Sequence, residues 1–159
     1  MTPKAELDSF IDKYTLEMTR AMRRALVQMR KKCPGALELV YDNYNALAVG
    51  FATGERVANV LFSVVAYPKW VSLFFFKTLP LKDPNKRLAG GGKTTKHVVL
   101  DAKRALADPD VAALIDQSLA KAGQPFAKGG RGRIVVKSIS AKQRPAGRLH
   151  EVRYDSPPP

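Results

Sequence analysis

The sequence predicts an α+β domain: an antiparallel β-sheet of about five or six strands, a long N-terminal helical region, a second helix packing on the sheet, and a basic C-terminal tail. Three observations carry this expectation. Residues 37–77 hold most of the β-branched and aromatic residues, in runs separated by short links. The stretches before Cys33 and after Asp108 instead place apolar residues at helical spacing. Beyond Ser140 the chain is poor in apolar residues and ends in three prolines.

The elements follow in order. Thr2-Pro3 is a helix start, with Thr2 as cap and Pro3 in the first turn. Leu7, Phe10, Ile11, Tyr14, Met18, Ala21, Met22, Ala25 and Met29 then form one apolar stripe running to about Lys32, where Cys33-Pro34-Gly35 stops it. Lys13, Arg20, Arg24 and Lys31 fall together on the opposite face, flanked by Arg23 and Arg30, and Arg30 to Lys32 suit the negative end of the helix dipole. Strands are expected over 38–42 and 46–52, joined at Asn43-Tyr44-Asn45, and over 57–66 after the hairpin loop at 52–55. Tyr67-Pro68-Lys69 turns the chain into a fourth strand over 70–78. Short links of this kind favour antiparallel neighbours. Residues 79–93 form a long loop with Pro80, Asp83-Pro84 and Gly90 to Gly92, and a fifth strand covers 96–101. Asp108-Pro109-Asp110 starts a helix that Val111, Leu114, Ile115, Ser118 and Leu119 continue to a stop at Gly123. Residues 134–137 read as a sixth, edge strand. One domain over 4–139 and a loosely docked or disordered tail over 140–159 result.

Composition narrows the setting. A chain of 159 residues, 45% hydrophobic, is long enough to bury a core without covalent staples. The single cysteine, Cys33, excludes an internal disulfide, and no signal-peptide pattern opens the chain, so a reducing cytoplasmic setting is expected. Residues 57–76 are apolar, but Pro68 and Lys69 interrupt them and their β-branched content suits strands, so no membrane span is expected. The 27 Lys+Arg against 14 Asp+Glu give +13. That charge is distributed as +4 over residues 1–32, zero over 33–80, +3 over 81–127 and +6 over 128–159. A neutral core with basic flanks raises the local concentration of anionic partners.

Gly90-Gly91-Gly92-Lys93-Thr94-Thr95 resembles a phosphate loop. The Walker pattern, however, needs glycine where Arg87 stands, and a helix where His97-Val98-Val99-Leu100 reads as a strand. A flexible glycine turn, or an anion nest with Lys93 and Lys96, is what is left. Two histidines, His97 and His150, and no Cys/His pair at ligand spacing argue against structural zinc. Asp8 and Asp12, four apart, are the one candidate pair for a hard cation or iron. Ser63, Ser72 and Ser118 lie in no nucleophile-elbow context, and Cys33 adjoins a helix-ending proline. No catalytic residue is assigned, and an enzyme is the less favoured class. Tyr41, Asn43, Asn45 and Trp70 lie at strand ends near turns, and with Lys93, Lys96 and His97 make the candidate ligand pocket. Lys128, Arg131, Arg133, Lys137, Lys142, Arg144 and Arg148 can neutralise phosphates, with Tyr154 as a lone stacking residue. No reading module accompanies them, so any nucleic-acid binding through the tail is non-specific.

Several strings together resemble the YdhG-like domain family, small bacterial proteins of largely undefined function. They are Phe10-Ile11-Asp12-Lys13-Tyr14, the strand from Glu38 through Tyr41-Asp42-Asn43-Tyr44-Asn45 to Leu47, and Tyr67-Pro68-Lys69-Trp70-Val71-Ser72-Leu73-Phe74-Phe75. The Gly90 to Gly92 loop into Lys96-His97-Val98, the Val111 to Leu119 helix and Lys137-Ser138-Ile139-Ser140-Ala141-Lys142-Gln143-Arg144-Pro145 complete the resemblance over about residues 10–145. It implies an α+β domain with an antiparallel sheet covered by helices. The complete small-domain pattern, with no catalytic constellation beside it, makes non-catalytic binding of an unidentified ligand or protein partner, without a cofactor, the expected function. One relative is described as a frataxin-like intracellular iron chaperone, which implies iron delivery through acidic side chains. This chain departs from that pattern: it is strongly basic, and Glu6, Asp8, Asp12 and Glu17 spread around the helix. The family often breaks its first helical region near a proline. None lies between Pro3 and Pro34, so one long helix and two short ones both fit.

Overall fold

The N-terminal region is two helices. In a computed structural model that describes residues 1–126 and 132–141, α1 spans Pro3–Ile11 and α2 spans Leu16–Lys32. The Thr2 hydroxyl accepts from the Ala5 N–H at 3.1 Å, capping α1. The single continuous stripe therefore spans a break made without proline. The Thr15 hydroxyl accepts from the Met18 N–H at 3.3 Å and starts α2, while the Thr19 hydroxyl donates to the Ile11 carbonyl at 3.2 Å. Tyr14 stays buried between the helices and donates to the Ala66 carbonyl at 3.2 Å, so the apolar spacing survives the break. Thr15→Ala is expected to lower stability by about 1 kcal/mol, read as a shift in the urea midpoint at unchanged slope.

The strands are β1 Leu37–Asp42, β2 Leu47–Ala52, β3 Val60–Ala66, β4 Val71–Phe76, β5 Thr95–Val99 and, after helix α3 (Pro109–Lys121), β6 Ile134–Ile139. They form one six-stranded sheet in the order β5-β4-β3-β2-β1-β6. The first five are an antiparallel meander, as short links favour. The sixth is an edge strand but pairs parallel with β1, because the chain crosses back through α3 before returning. The third strand starts three residues later than expected, since Val57–Asn59 is a 3-10 turn in which the Asn59 side chain accepts from the Arg56 N–H. Asp108 caps α3 by accepting from the Asp110 N–H at 3.0 Å, and Gly123, at φ +79°, ends it.

All three helices pack on one face of the sheet. Leu7, Ile11, Met22, Leu26, Met29 and Leu114 meet Phe51, Phe62 and Phe75 there, and none of these exposes more than 2% of its surface. Two buried carboxylates on this face, Glu38 and Asp42, are paired. Arg30 donates through Nε and Nη2 to both Glu38 oxygens at 2.8 Å, and Lys13 reaches Asp42 at 3.0 Å. Arg30 thus serves a sheet carboxylate besides sitting in the last turn of α2. The opposite face carries a second, smaller cluster of strand residues: Leu39, Ala52 and Val60, with Leu37, Tyr41, Phe76 and Val135 packed against them. No helix among the described residues is long and apolar enough to cross a membrane.

Candidate functional site

Small residues on β2 open a cavity in that second face. Strand alternation puts Ala48, Gly50 and Ala52 on the side away from the helices, where Gly50 lies between Leu39 of β1 and Ser63 of β3. A Cβ added to Gly50 would stand 3.1 and 3.2 Å from the two Val60 methyl carbons, so even one methyl would crowd that wall. The result is a cavity of about 420 Å³, within the range of small-molecule sites. Tyr41, Val60 and Phe76 form its apolar sides, and Val57 and Ala58 of the 3-10 turn overhang it. Lys77, Thr94 and Thr95 close another side.

The Tyr41 hydroxyl is the chemically notable group. Its oxygen is buried and has no hydrogen-bond partner among the described residues, although Tyr41 lines the cavity. Native structures leave few such groups unsatisfied, because each costs about 1–3 kcal/mol. Burial pushes the phenol above its ordinary pKa, so it stays protonated and able to donate. Lys77 sits at the end of β4 in a tight three-residue turn with φ +68°. The Thr78 N–H donates to the Phe76 carbonyl at 2.9 Å, and Lys77 itself donates to the Thr94 carbonyl. A lysine in this left-handed conformation is strained, and the strain places its backbone at the cavity rim.

The loop leading to Thr94 and Thr95 is pinned from below. Arg87 pairs with Asp108 at 2.9 Å and Asp110 at 3.0 Å, while the Asp83 carboxylate accepts from the Arg87 and Leu88 N–H groups. The Thr78 and Ser118 hydroxyls, both buried, bond to each other and tie the loop to α3. Ala89 and His97 exchange backbone hydrogen bonds at 2.8 and 3.0 Å. A Cβ on Gly92 would lie 2.8 Å from the Thr95 carbonyl oxygen, so glycine is required for the tight return. Arg87, which occupies the position of the missing Walker glycine, is a structural anchor.

Of the sequence-expected pocket, Tyr41 alone lines this cavity. Asn43 and Asn45 are exposed in the β1–β2 turn, where the Asn43 N–H donates to the Ala46 carbonyl. Trp70 stacks on Tyr67 at 4.9 Å, and His97 is buried against Phe74 with ring centroids 5.0 Å apart. Lys93 is exposed in the loop, and Lys96 stands opposite Phe75 in the β4–β5 register. The lining residues that sequence reasoning missed are Gly50, Val57, Ala58, Val60, Ser63, Phe76, Lys77, Thr94 and Thr95. The available signal was a glycine inside a strand, flanked at i±2 by alanines.

The other candidates have structural partners. Arg23 reaches Asp8 at 2.7 Å and Asp12 at 2.8 Å, and with Lys4 it holds the Asp8 carboxyl below the usual range. A cation at that pair would have to displace Arg23, and among the described residues no three or more His, Cys, Asp or Glu are grouped so that they could hold a metal ion. Arg133 pairs with Glu55 at 2.9 Å, and Lys137 is exposed on the edge strand β6. Arg131, Lys142, Arg144 and Arg148, with Lys128, His150 and Tyr154, lie outside the described residues. Burial pushes the Cys33 thiol up to about 12, so it is not a thiolate at neutral pH. No protein-family model, no curated protein and no solved structure matches this chain.

Proposed function

We propose that this chain is a binding protein of the YdhG-like kind that holds a small, mostly apolar molecule in the sheet-face cavity without transforming it. The observation that carries the reading is a mostly apolar cavity with Tyr41 in its lining, whose buried hydroxyl has no partner among the described residues. Apolar walls favour a ligand by about 25 cal/mol for each Å² of apolar surface removed from water. A single phenol then orients a carbonyl, hydroxyl or carboxylate on that ligand, because an acceptor brought to Tyr41 removes the penalty of its missing hydrogen bond. Lys77 at the rim suits a ligand whose polar end is anionic.

Tyr41→Phe separates binding from folding. It deletes a buried unsatisfied oxygen and is expected to raise the unfolding free energy by about 1 kcal/mol or more. The same change should weaken retention of an acceptor-bearing probe such as 1-anilinonaphthalene-8-sulfonate by about tenfold. Ala58→Trp, at an exposed position overhanging the cavity, should abolish saturable fluorescence of that probe while leaving the fold intact. Unchanged probe binding in Ala58→Trp sinks the assignment of the cavity as a binding site.

A further inference from the structure

A second surface, on the helix side, has a different chemistry. The wall of an open groove between α2 and the turn following β5 carries Arg20, Arg23, Arg24, Lys103 and Arg104, and no carboxylate. The groove is built: Arg24 donates to the Ala102 carbonyl, and the Gln28 amide donates to the Arg104 carbonyl at 3.3 Å and accepts from the Leu106 N–H at 2.8 Å. The Asp101 carboxylate meanwhile accepts from the Lys103 and Arg104 N–H groups, fixing the turn that presents both cations. Of the five, Arg23 is neutralised by Asp8 and Asp12. Arg104 meets Asp108 only at 3.4 Å, and that carboxylate lies closer to Arg87. The Arg24 bond to a carbonyl leaves its charge uncompensated. Arg20 and Lys103, both exposed, make no salt bridge or side-chain hydrogen bond among the described residues, although the Lys103 charge feels the Asp101 carboxylate of its own turn. With Asp101 beneath the turn and Asp108 beside Arg104, the groove wall still keeps an excess of cations, which a bound anion would stabilise.

We infer that this groove docks the phosphate backbone of a nucleic-acid duplex. Arginine predominates, and its planar fork matches phosphate oxygens better than an ammonium does. Arg20 and Arg24, one helical turn apart, run about 6 Å along the axis of α2, facing Lys103 and Arg104 across the groove. No aromatic residue lines it, so the base stacking on which single-strand binders rely is missing, and contact is with backbone alone. A membrane surface is disfavoured because the apolar face of α2 is spent on the sheet, leaving two separate exposed large apolar side chains on the helix, Leu16 in its first turn and Val27 beside the cations, too few to insert into a bilayer. The net charge of +13 would steer the encounter.

The test is a salt series of binding to a short mixed-sequence duplex, read by fluorescence anisotropy with the full-length chain. Four phosphate contacts predict a slope of log Kobs against log salt of about −3.6. The double variant Arg20→Gln/Lys103→Gln removes two exposed cations and should halve that slope with an unchanged circular-dichroism spectrum. A tail variant, Lys142→Gln/Arg144→Gln/Arg148→Gln, should preserve the difference made by the groove substitutions. The inference is overturned if no duplex binding appears at about 50 mM salt. It is equally overturned if the groove variant keeps the wild-type slope, or if poly-glutamate or phosphatidylserine vesicles bind more tightly than the duplex.

Discussion

Phe62→Ala is expected to lower the unfolding free energy by about 3–5 kcal/mol, the largest single effect among the substitutions considered. Phe62 is fully buried at the centre of β3 and meets Phe75 of β4 edge-to-face, with centroids 5.6 Å apart and planes at 77°. Truncation loses that contact and leaves a void between sheet and helices, which rigid strands on both sides prevent from collapsing. The measurement is a urea titration, with the midpoint falling at nearly constant slope. Phe62 faces the helices, so probe binding in the opposite-face cavity should survive wherever the variant is still folded. A loss under about 1 kcal/mol would show that this layer is less tightly packed than the fold implies.

Asp108→Ala should cost about 2–3 kcal/mol, because one carboxylate caps α3 and also anchors the loop. Its side chain, 3% exposed, accepts from the Asp110 N–H and pairs with Arg87 at 2.9 Å. Arg87 foremost, then the Asp110 N–H, holds its carboxyl below the ordinary 3.8. A carboxyl depressed in the folded state stabilises fully above its unfolded pKa, and that contribution is lost as pH falls through the folded value. Wild type should therefore lose stability below about pH 4 more steeply than Asp108→Asn, which keeps a good cap but has no charge to titrate. Coincident acid-unfolding curves for the two proteins would remove the ion pair from the account. Arg87 belongs to the loop that delivers Thr94 and Thr95 to the cavity rim, so Asp108→Ala should also speed hydrogen exchange at the Ala89 and His97 amides.

Much of the architecture was legible in sequence. Runs of β-branched and aromatic residues marked β1 to β4, and Asp108-Pro109 marked the start of α3, because strand preference and capping depend on residues a few positions apart. Two helices were one of the two open readings of the N-terminal region, but the place of the break at Thr15 was hidden for a related reason. Tyr14 keeps the helical spacing of the stripe by packing between the helices, so the pattern reads as uninterrupted although the backbone is not. The parallel pairing of β6 with β1 was equally invisible, since residues 134–139 look alike in either orientation.

The candidate pocket shows the same limit at the level of function. Polar and aromatic side chains near strand ends drew attention to Asn43, Asn45 and Trp70, yet these serve a turn and an aromatic stack. The cavity comes from the absence of a side chain at Gly50, a vacancy that acquires walls only when β3 sets Val60 and Ser63 beside it. Likewise, the +4 of the first 32 residues was countable. That Arg23 is silenced by Asp8 and Asp12 while Arg20 is left beside Lys103 depends on α2 crossing both α1 and a turn some eighty residues away. Local chemistry thus carried the element types, their ends and the charge of each segment. Strand register and helix docking carried the sites, because a site is a meeting of residues distant in the chain, and short-range propensity holds no record of which of them will meet.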